Sequence, residues 1–368
     1  MLQTPLHSLY IHGGVKLIEA SGYSLPNFFS SSDKEYIGAH TQAVITDRSY
    51  LGRIVLNGPD ALDLLNRLST NQLDYLPPGT GATTAITTNK GRLIDWVTVL
   101  QSENNVIVLT SAGRSKLVTD WIDKYTIVEE ITTLNLTDST AMIGVVGPMA
   151  TDVLLSIFGS TVQLDRYGST EVTWRDQPVV ILRTDPFGLP NYDVIVDASH
   201  AEILWAQLLD ANIENPAIPM GAATSEILRV EAGVPLWGRE LTESRNPLEA
   251  GLAGSISWTK GCYIGQEVVA RLKTYDKVQR YLVGFSMDSD LTIEHATSLI
   301  LNGTKVGFVT STCQSPSSRK TIGIAYIQPS LAQEGVSVFI ELNSGEMAKA
   351  TIQWTSESSG YVGVTSEP

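Results

Sequence analysis

Arg53-Ile54-Val55-Leu56-Asn57-Gly58-Pro59-Asp60-Ala61 is an apolar run that breaks on a Gly-Pro pair and passes into a helix-spaced face of Leu62, Leu65 and Leu68. The pattern returns at Ile143-Gly144-Val145-Val146-Gly147-Pro148-Met149-Ala150, followed by Val153, Leu154, Ile157 and Phe158. Proline is tolerated at the start of a helix, where its missing N–H has no partner to lose, so both copies read as strand into helix. After the first copy come apolar runs Leu93 to Leu100 and Val106 to Thr110, then an amphipathic helix through Leu117, Trp121 and Ile122. After the second come Val179 to Leu182 and Tyr192 to Val196, then a helix through Ile203, Leu204, Leu208 and Leu209. Each copy therefore reads β-α-β-β-α, and the shared order makes an accidental repeat implausible. The fold class expected is α+β: two ferredoxin-like halves, about residues 46–138 and 139–277, packed as one body over 1–277. Residues 1 to about 45, punctuated by Pro5, Gly13-Gly14, Gly22, Pro26 and Ser30-Ser31-Ser32, read as an irregular lead-in.

From Val278 onward short apolar runs alternate with turns, among them Tyr281 to Phe285, Lys305 to Val309, Thr321 to Ile327, Val336 to Ile340 and Ala348 to Trp354. Closely spaced strands with hardly a helix between them predict a separate small β-barrel over 278–368.

The chain has 368 residues, enough for two or three domains. Its 25 Lys+Arg against 39 Asp+Glu give a net charge of −14, which opposes general binding to nucleic acid or to an anionic membrane. An anionic ligand must meet a local basic site. Two cysteines, Cys262 and Cys313, are too few for a disulfide framework, and neither they nor the five histidines show metal-ligand spacing. With no leader pattern and no stretch long enough to span a bilayer, a cytoplasmic setting is expected.

The densest chemistry lies in Lys260-Gly261-Cys262-Tyr263-Ile264-Gly265-Gln266-Glu267, with Val268, Val269 and Leu272 suggesting a helix that begins near Gly265. A thiol just ahead of a helix N-terminus and two residues from a lysine sits where the thiolate is favoured. The competing reading is that Cys262 is a small buried hydrophobe. Cys313, with no basic residue within five positions, reads as structural.

Thr4-Pro5-Leu6, Asp47-Arg48-Ser49, Gly58-Pro59-Asp60-Ala61, Leu228-Arg229-Val230-Glu231-Ala232-Gly233-Val234-Pro235-Leu236-Trp237-Gly238 and Pro247-Leu248-Glu249-Ala250-Gly251 resemble the glycine-cleavage T-protein superfamily over almost the whole chain. The block from Lys260 to Glu267 is similar to the signature of one branch, the YgfZ-type folate-binding proteins. The resemblance implies a site for tetrahydrofolate or a one-carbon derivative, with Arg229, Asp95, Tyr263 and Gln266 as candidate folate contacts. It also implies a role in assembling or repairing iron–sulfur clusters in client proteins. Cys262 and Lys260 are then the candidate reactive pair.

Two departures from the T-protein pattern weigh on the choice of branch. Gly91-Arg92-Leu93-Ile94-Asp95-Trp96 keeps one acid of a catalytic pair and has tryptophan at the other. Leu189 stands where the aminomethyltransferases resemble one another in a pterin-holding glutamate, and leucine cannot pair bidentately with a guanidine-like edge. The main expectation is thus a folate-binding accessory protein for iron–sulfur clients that uses Cys262. The alternative is a folate-dependent aminomethyl- or methyltransferase in which Asp95 orients the folate nitrogen, and a ligand-free scaffold is a third possibility. Arg229 has its own competing reading, a structural pair with Glu226 or Glu231.

Overall fold

The computed structural model describes residues 1–159, 163–211, 213–288, 291, 293–342 and 345–355. The end of the chain, residues 356–368 of the expected barrel domain, lies outside them. The chain divides into two compact units, one of 1–67, 72–84 and 96–225, the other of 68–71, 85–95 and 226–368.

The repeat takes shape as β4 (Gly52–Asn57), α3 (Ala61–Leu68), β5 (Thr80–Thr87), β6 (Leu93–Gln101), β7 (Val106–Thr110) and α4 (Ser115–Tyr125), which fall in the first unit except for residue 68, the end of β5 and the start of β6. Its second copy is β9 (Thr140–Val146), α5 (Ala150–Phe158), β10 (Ser169–Trp174), β11 (Gln177–Arg183), β12 (Asn191–Asp197) and α6 (Ala201–Leu209). The strand order β5-β6-β7-β4 is matched by β10-β11-β12-β9. Each half thus carries one strand more than the β-α-β-β-α expectation. The extra strands, β5 and β10, lie at sheet edges, and β10 alternates half-buried and exposed positions, so neither makes an apolar run to read.

The Gly-Pro pairs do the same work twice. Gly58 and Gly147 have φ of 127° and 117°, and a β-carbon at either would collide with a carbonyl oxygen, of Glu130 at the first and Gln42 at the second. Only glycine allows that backbone and that approach.

The lead-in is ordered, which overturns the irregular reading. It forms α1 (His7–His12), β1 (Leu17–Ala20), β2 (Tyr23–Pro26), α2 (Ser32–Thr41) and β3 (Val44–Asp47). Its turn markers bound elements rather than replace them: Gly22 turns the β1–β2 hairpin, and the Ser31 side chain accepts from Lys34 N at the head of α2. Two acids anchor it over long range. Asp47 accepts from Thr4 Oγ1 (2.6 Å) and Tyr10 OH (2.9 Å), while buried Glu35 accepts from Gly221 N (2.9 Å) and Thr224 Oγ1 (2.7 Å). Leu100, Ile107 and Leu109 of the first sheet pack with Met142, Leu182 and Ile195 of the second.

The second unit contains the expected barrel, closed in the order β14-β17-β16-β15-β18-β19. The strands are β14 (Tyr281–Met287), β15 (Ser298–Leu301), β16 (Thr304–Ser315), β17 (Lys320–Ile327), β18 (Ser337–Glu341) and β19 (Met347–Thr355). Val283, Phe285, Val309, Ala325, Val338 and Ile352 are among the residues that fill it. This unit also holds α8 (Gln266–Thr274). Among the described residues no helix is long and apolar enough to cross a membrane.

Candidate active site

The six candidate folate-contact and reactive residues, Asp95, Arg229, Lys260, Cys262, Tyr263 and Gln266, fall in the second unit. Asp95 is on β6 with no exposed surface. The turn that delivers it, Thr88 to Arg92, is closed by Thr88 N to Arg92 O (2.8 Å) and Gly91 N to Thr88 O (2.9 Å). Against that turn sits the start of α8. Gly265, its N-cap, has φ 88°, and a β-carbon there would lie 2.6 Å from Thr88 O and 3.2 Å from Gly91 Cα. At Gly91, with φ 65°, a β-carbon would lie 3.1 Å from the Val268 side chain, a tight contact. Thr87 Oγ1 donates to Ile264 O at 2.6 Å. Two glycines thus let the loop from Lys260 to Glu267 dock directly on the hairpin that leads to Asp95.

Lys260 fixes the other side of this loop. It is buried, and its Nζ donates to Ser69 O (3.0 Å) and Asn71 O (2.5 Å). Thr70, between those two residues, donates from Oγ1 to Ser255 O (2.6 Å) and accepts at its carbonyl from Ser257 N (3.0 Å). The Lys260 ammonium also stands 5.4 Å from the centre of the Tyr263 ring. Tyr263 is buried, and burial pushes its phenol up to about 12, so it is a neutral donor at physiological pH. Gln266 opens α8 and reaches back to Gly261 O at 3.5 Å. Cys262 is exposed, in the loop ahead of the Gly265 N-cap.

Arg229 lies on α7 (Ala222–Glu231) and is spent inside the protein. Nε and Nη2 grip Glu226 at 2.8 and 2.6 Å, Nη1 pairs with Glu240 (3.2 Å) and donates to Val234 O, and Nη2 reaches Ser311 Oγ at 2.7 Å. Burial works against its charge, but Glu240 and Glu226 outweigh burial and raise its pKa above the ordinary guanidinium value. The geometry is the structural pairing with Glu226. Glu231, the other partner considered, accepts from Ser315 Oγ at 2.6 Å. Cys313 is partly buried on β16, and burial, then Glu231 and Glu226, push its thiol up to about 12.

Sequence reasoning missed the Gly91–Gly265 contact, Thr70 and Thr87. The glycines carried a signal, a turn-rich Thr88-Asn89-Lys90-Gly91 beside a second Gly at a helix start, but nothing local says that two such glycines meet. Among the described residues no group of three or more His, Cys, Asp or Glu could hold a metal ion.

Comparison with known proteins identifies the family. A family model described as the GCVT N-terminal domain matches residues 6–260, and one for the glycine cleavage T-protein C-terminal barrel domain matches 280–356. The chain belongs to the glycine-cleavage T-protein family. It is 29% identical over 349 residues to an aminomethyltransferase of Halalkalibacterium halodurans, covering 94% of this chain and 95% of that protein. With the aminomethyltransferase of Bacillus subtilis it shares 30% identity over 354 residues, 95% of this chain and 97% of the relative. The glycine cleavage system aminomethyltransferase T of Bartonella henselae has the same fold, with a TM-score of 0.87, 22% identity and 96% of each chain covered. These names favour the transferase alternative over the accessory expectation, and none of them carries an iron–sulfur role. Cys262 falls between the two matched segments.

Proposed function

We propose that this chain binds tetrahydrofolate or a one-carbon derivative and transfers that unit, an aminomethyl or methyl group, as a glycine-cleavage T-protein does. The observation that carries the reading is Asp95, a carboxylate with no exposed surface, in a chain similar over nearly all its length to aminomethyltransferases. A carboxylate away from water interacts strongly with a ligand N–H and can hold a proton at a reacting nitrogen. With Trp96 and Leu189 at the other two acidic positions of the family, Asp95 is the acid left to do this. The test is ammonia release from an aminomethyl-loaded carrier with tetrahydrofolate present, alongside calorimetric titration of the folate. Asp95→Asn should lower kcat by about a hundredfold or more while the protein stays folded. Absence of turnover in the wild type, with folate bound, would remove the transferase reading.

One observation favours a second reading, the accessory protein that serves iron–sulfur clients or assembly proteins. Cys262 is exposed in the loop whose Ile264 and Gly265 meet the β5–β6 turn, and one-carbon transfer needs no thiol. In a strain lacking the protein, Cys262→Ala should then abolish rescue of an iron–sulfur enzyme, Lys260→Ala should weaken it, and Cys313→Ala should leave it intact. Full rescue by Cys262→Ala would exclude this reading.

A further inference from the structure

We infer that the cleft between the start of α3 and the β6–β7 turn is a site for a primary ammonium group carried on a short, linear aliphatic chain. It lies wholly within the first unit and uses no residue assigned above to folate or to group transfer.

The cleft has a volume of about 400 Å³, within the range of small-molecule sites. Pro59 and Leu62 at the start of α3, with Val106 of β7, give it apolar surface. Gln101, Glu103 and Asn105 bring polar groups from the turn, which Ser102 N closes by donating to Asn105 O at 2.8 Å. Among the described residues no lysine, arginine or histidine lines it.

The turn offers acceptors that have no donors. Gln101 Nε2 donates to Ser102 O at 2.8 Å, so exchanging the amide nitrogen and oxygen would set two oxygens face to face; Oε1 is the end left without a partner. Asn105 Oδ1 is likewise shielded from water and without a donor. Leaving such acceptors unmet is costly, which marks a place where donors belong. Both residues are only half-buried, so a small rotation at the turn presents either oxygen to a ligand in the cleft that they line. Glu103 is exposed and, among the described residues, has no ion pair.

A primary ammonium carries three donors and no acceptor, which matches two amide oxygens and one carboxylate. The start of a helix ordinarily favours an anion. Here an anion would meet unpaired acceptors and the Glu103 charge, with no cation to hold it, in a protein of net charge −14. Asp63 in the first turn of α3 already offsets the partial positive charge of that helix end. A bare ammonium ion would leave most of the cleft unfilled, since a water-sized particle takes about 30 Å³. An aliphatic stem laid against Pro59, Leu62 and Val106 fills it and buries apolar surface.

The test is calorimetric titration of the full chain at low salt with n-butylammonium, beside n-butanol, tetramethylammonium and inorganic phosphate. The wild type, Gln101→Met, Glu103→Gln and the double variant are compared, with melting temperatures taken alongside. n-Butylammonium should bind one site with a Kd on the order of 1 mM. n-Butanol, which lacks the charge, and tetramethylammonium, which lacks the N–H donors, should bind at least about tenfold more weakly. Gln101→Met should weaken the amine by about tenfold, and Glu103→Gln by about two- to fivefold, the latter effect fading as salt rises. Glu103 is exposed, so its variant answers the question even where Gln101→Met unfolds the chain. n-Butanol bound as tightly as the amine would show a merely apolar cleft. Phosphate that competes with the amine would show that the helix start takes anions, and amine binding unaltered in the double variant would place it elsewhere on the acidic surface. Each of these results overturns the inference, as does the absence of n-butylammonium binding at concentrations well above that Kd.

Discussion

At the scale of the residue, the chemistry of this protein turns on which charges are already spent. Arg229 uses its N–H donors on Glu226, Glu240, Val234 and Ser311, so its removal leaves Glu240, which has no exposed surface, with Leu236 N and Ser311 Oγ but without its charge partner. Arg229→Met should cost about 3–5 kcal/mol, the usual penalty for breaking a buried pair from one side. A residue that only touched ligand would lower folate affinity with the melting temperature unmoved, so thermal unfolding decides between the two. Lys260→Met would leave the carbonyls of Ser69 and Asn71 without their charged donor, and a loss of roughly 1.5–3 kcal/mol is expected.

The two thiols should separate by reactivity. Cys262 is exposed and should be alkylated in the native protein, whereas Cys313, its thiol pushed up to about 12, should resist until the chain is unfolded. Because the fold favours the neutral Cys313 thiol, that preference stabilises the protein below the ordinary thiol pKa and fades as pH rises toward about 12. Mass mapping of the alkylated protein from pH 7 to 10 checks this, and rapid native labelling of Cys313 would contradict it.

At the scale of the element, the junction between the start of α8 and the β5–β6 turn is the joint on which the candidate site depends. Gly265→Ala places a β-carbon at φ 88° against Thr88 O, and should cost about 1–3 kcal/mol. Gly261→Ala, four residues earlier, meets nothing within 4 Å and has no left-handed φ, so it should be nearly silent. Equal melting temperatures for the two variants would show that the junction is not tight. The same contrast explains why this joint was only half legible. The helix start near Gly265 was readable from Val268, Val269 and Leu272, because helical spacing is local. The partner turn was not, because a backbone approach between positions far apart in sequence leaves no periodicity.

At the scale of the whole molecule, a ligand that binds only the folded state must stabilise it by mass action. Tetrahydrofolate at a hundred times its Kd should add about 2.7 kcal/mol, a rise of a few degrees in melting temperature for a chain of this size. Asp95→Asn should diminish the shift. A wild-type melting curve unmoved by millimolar folate would count against the folate reading as a whole, independently of any activity assay.

By itself the sequence determined the elements whose signal is local. The two Gly-Pro strand-to-helix copies, the alternating runs of the barrel and the block from Lys260 to Glu267 all rest on spacing, turn residues and side-chain chemistry within a short window. The tertiary structure alone decided the rest. The ordered lead-in depends on Asp47 and Glu35, whose donors lie elsewhere in the chain. The edge strands β5 and β10 are too exposed along part of their length to form apolar runs. The same distinction holds for the charged groups. Arg229 looked equally fit for a ligand or an ion pair, and Lys260 looked like a neighbour for Cys262. Their residue types are the same in either case; burial, and the acceptors that burial demands, settle where each guanidinium and ammonium group spends its hydrogen bonds.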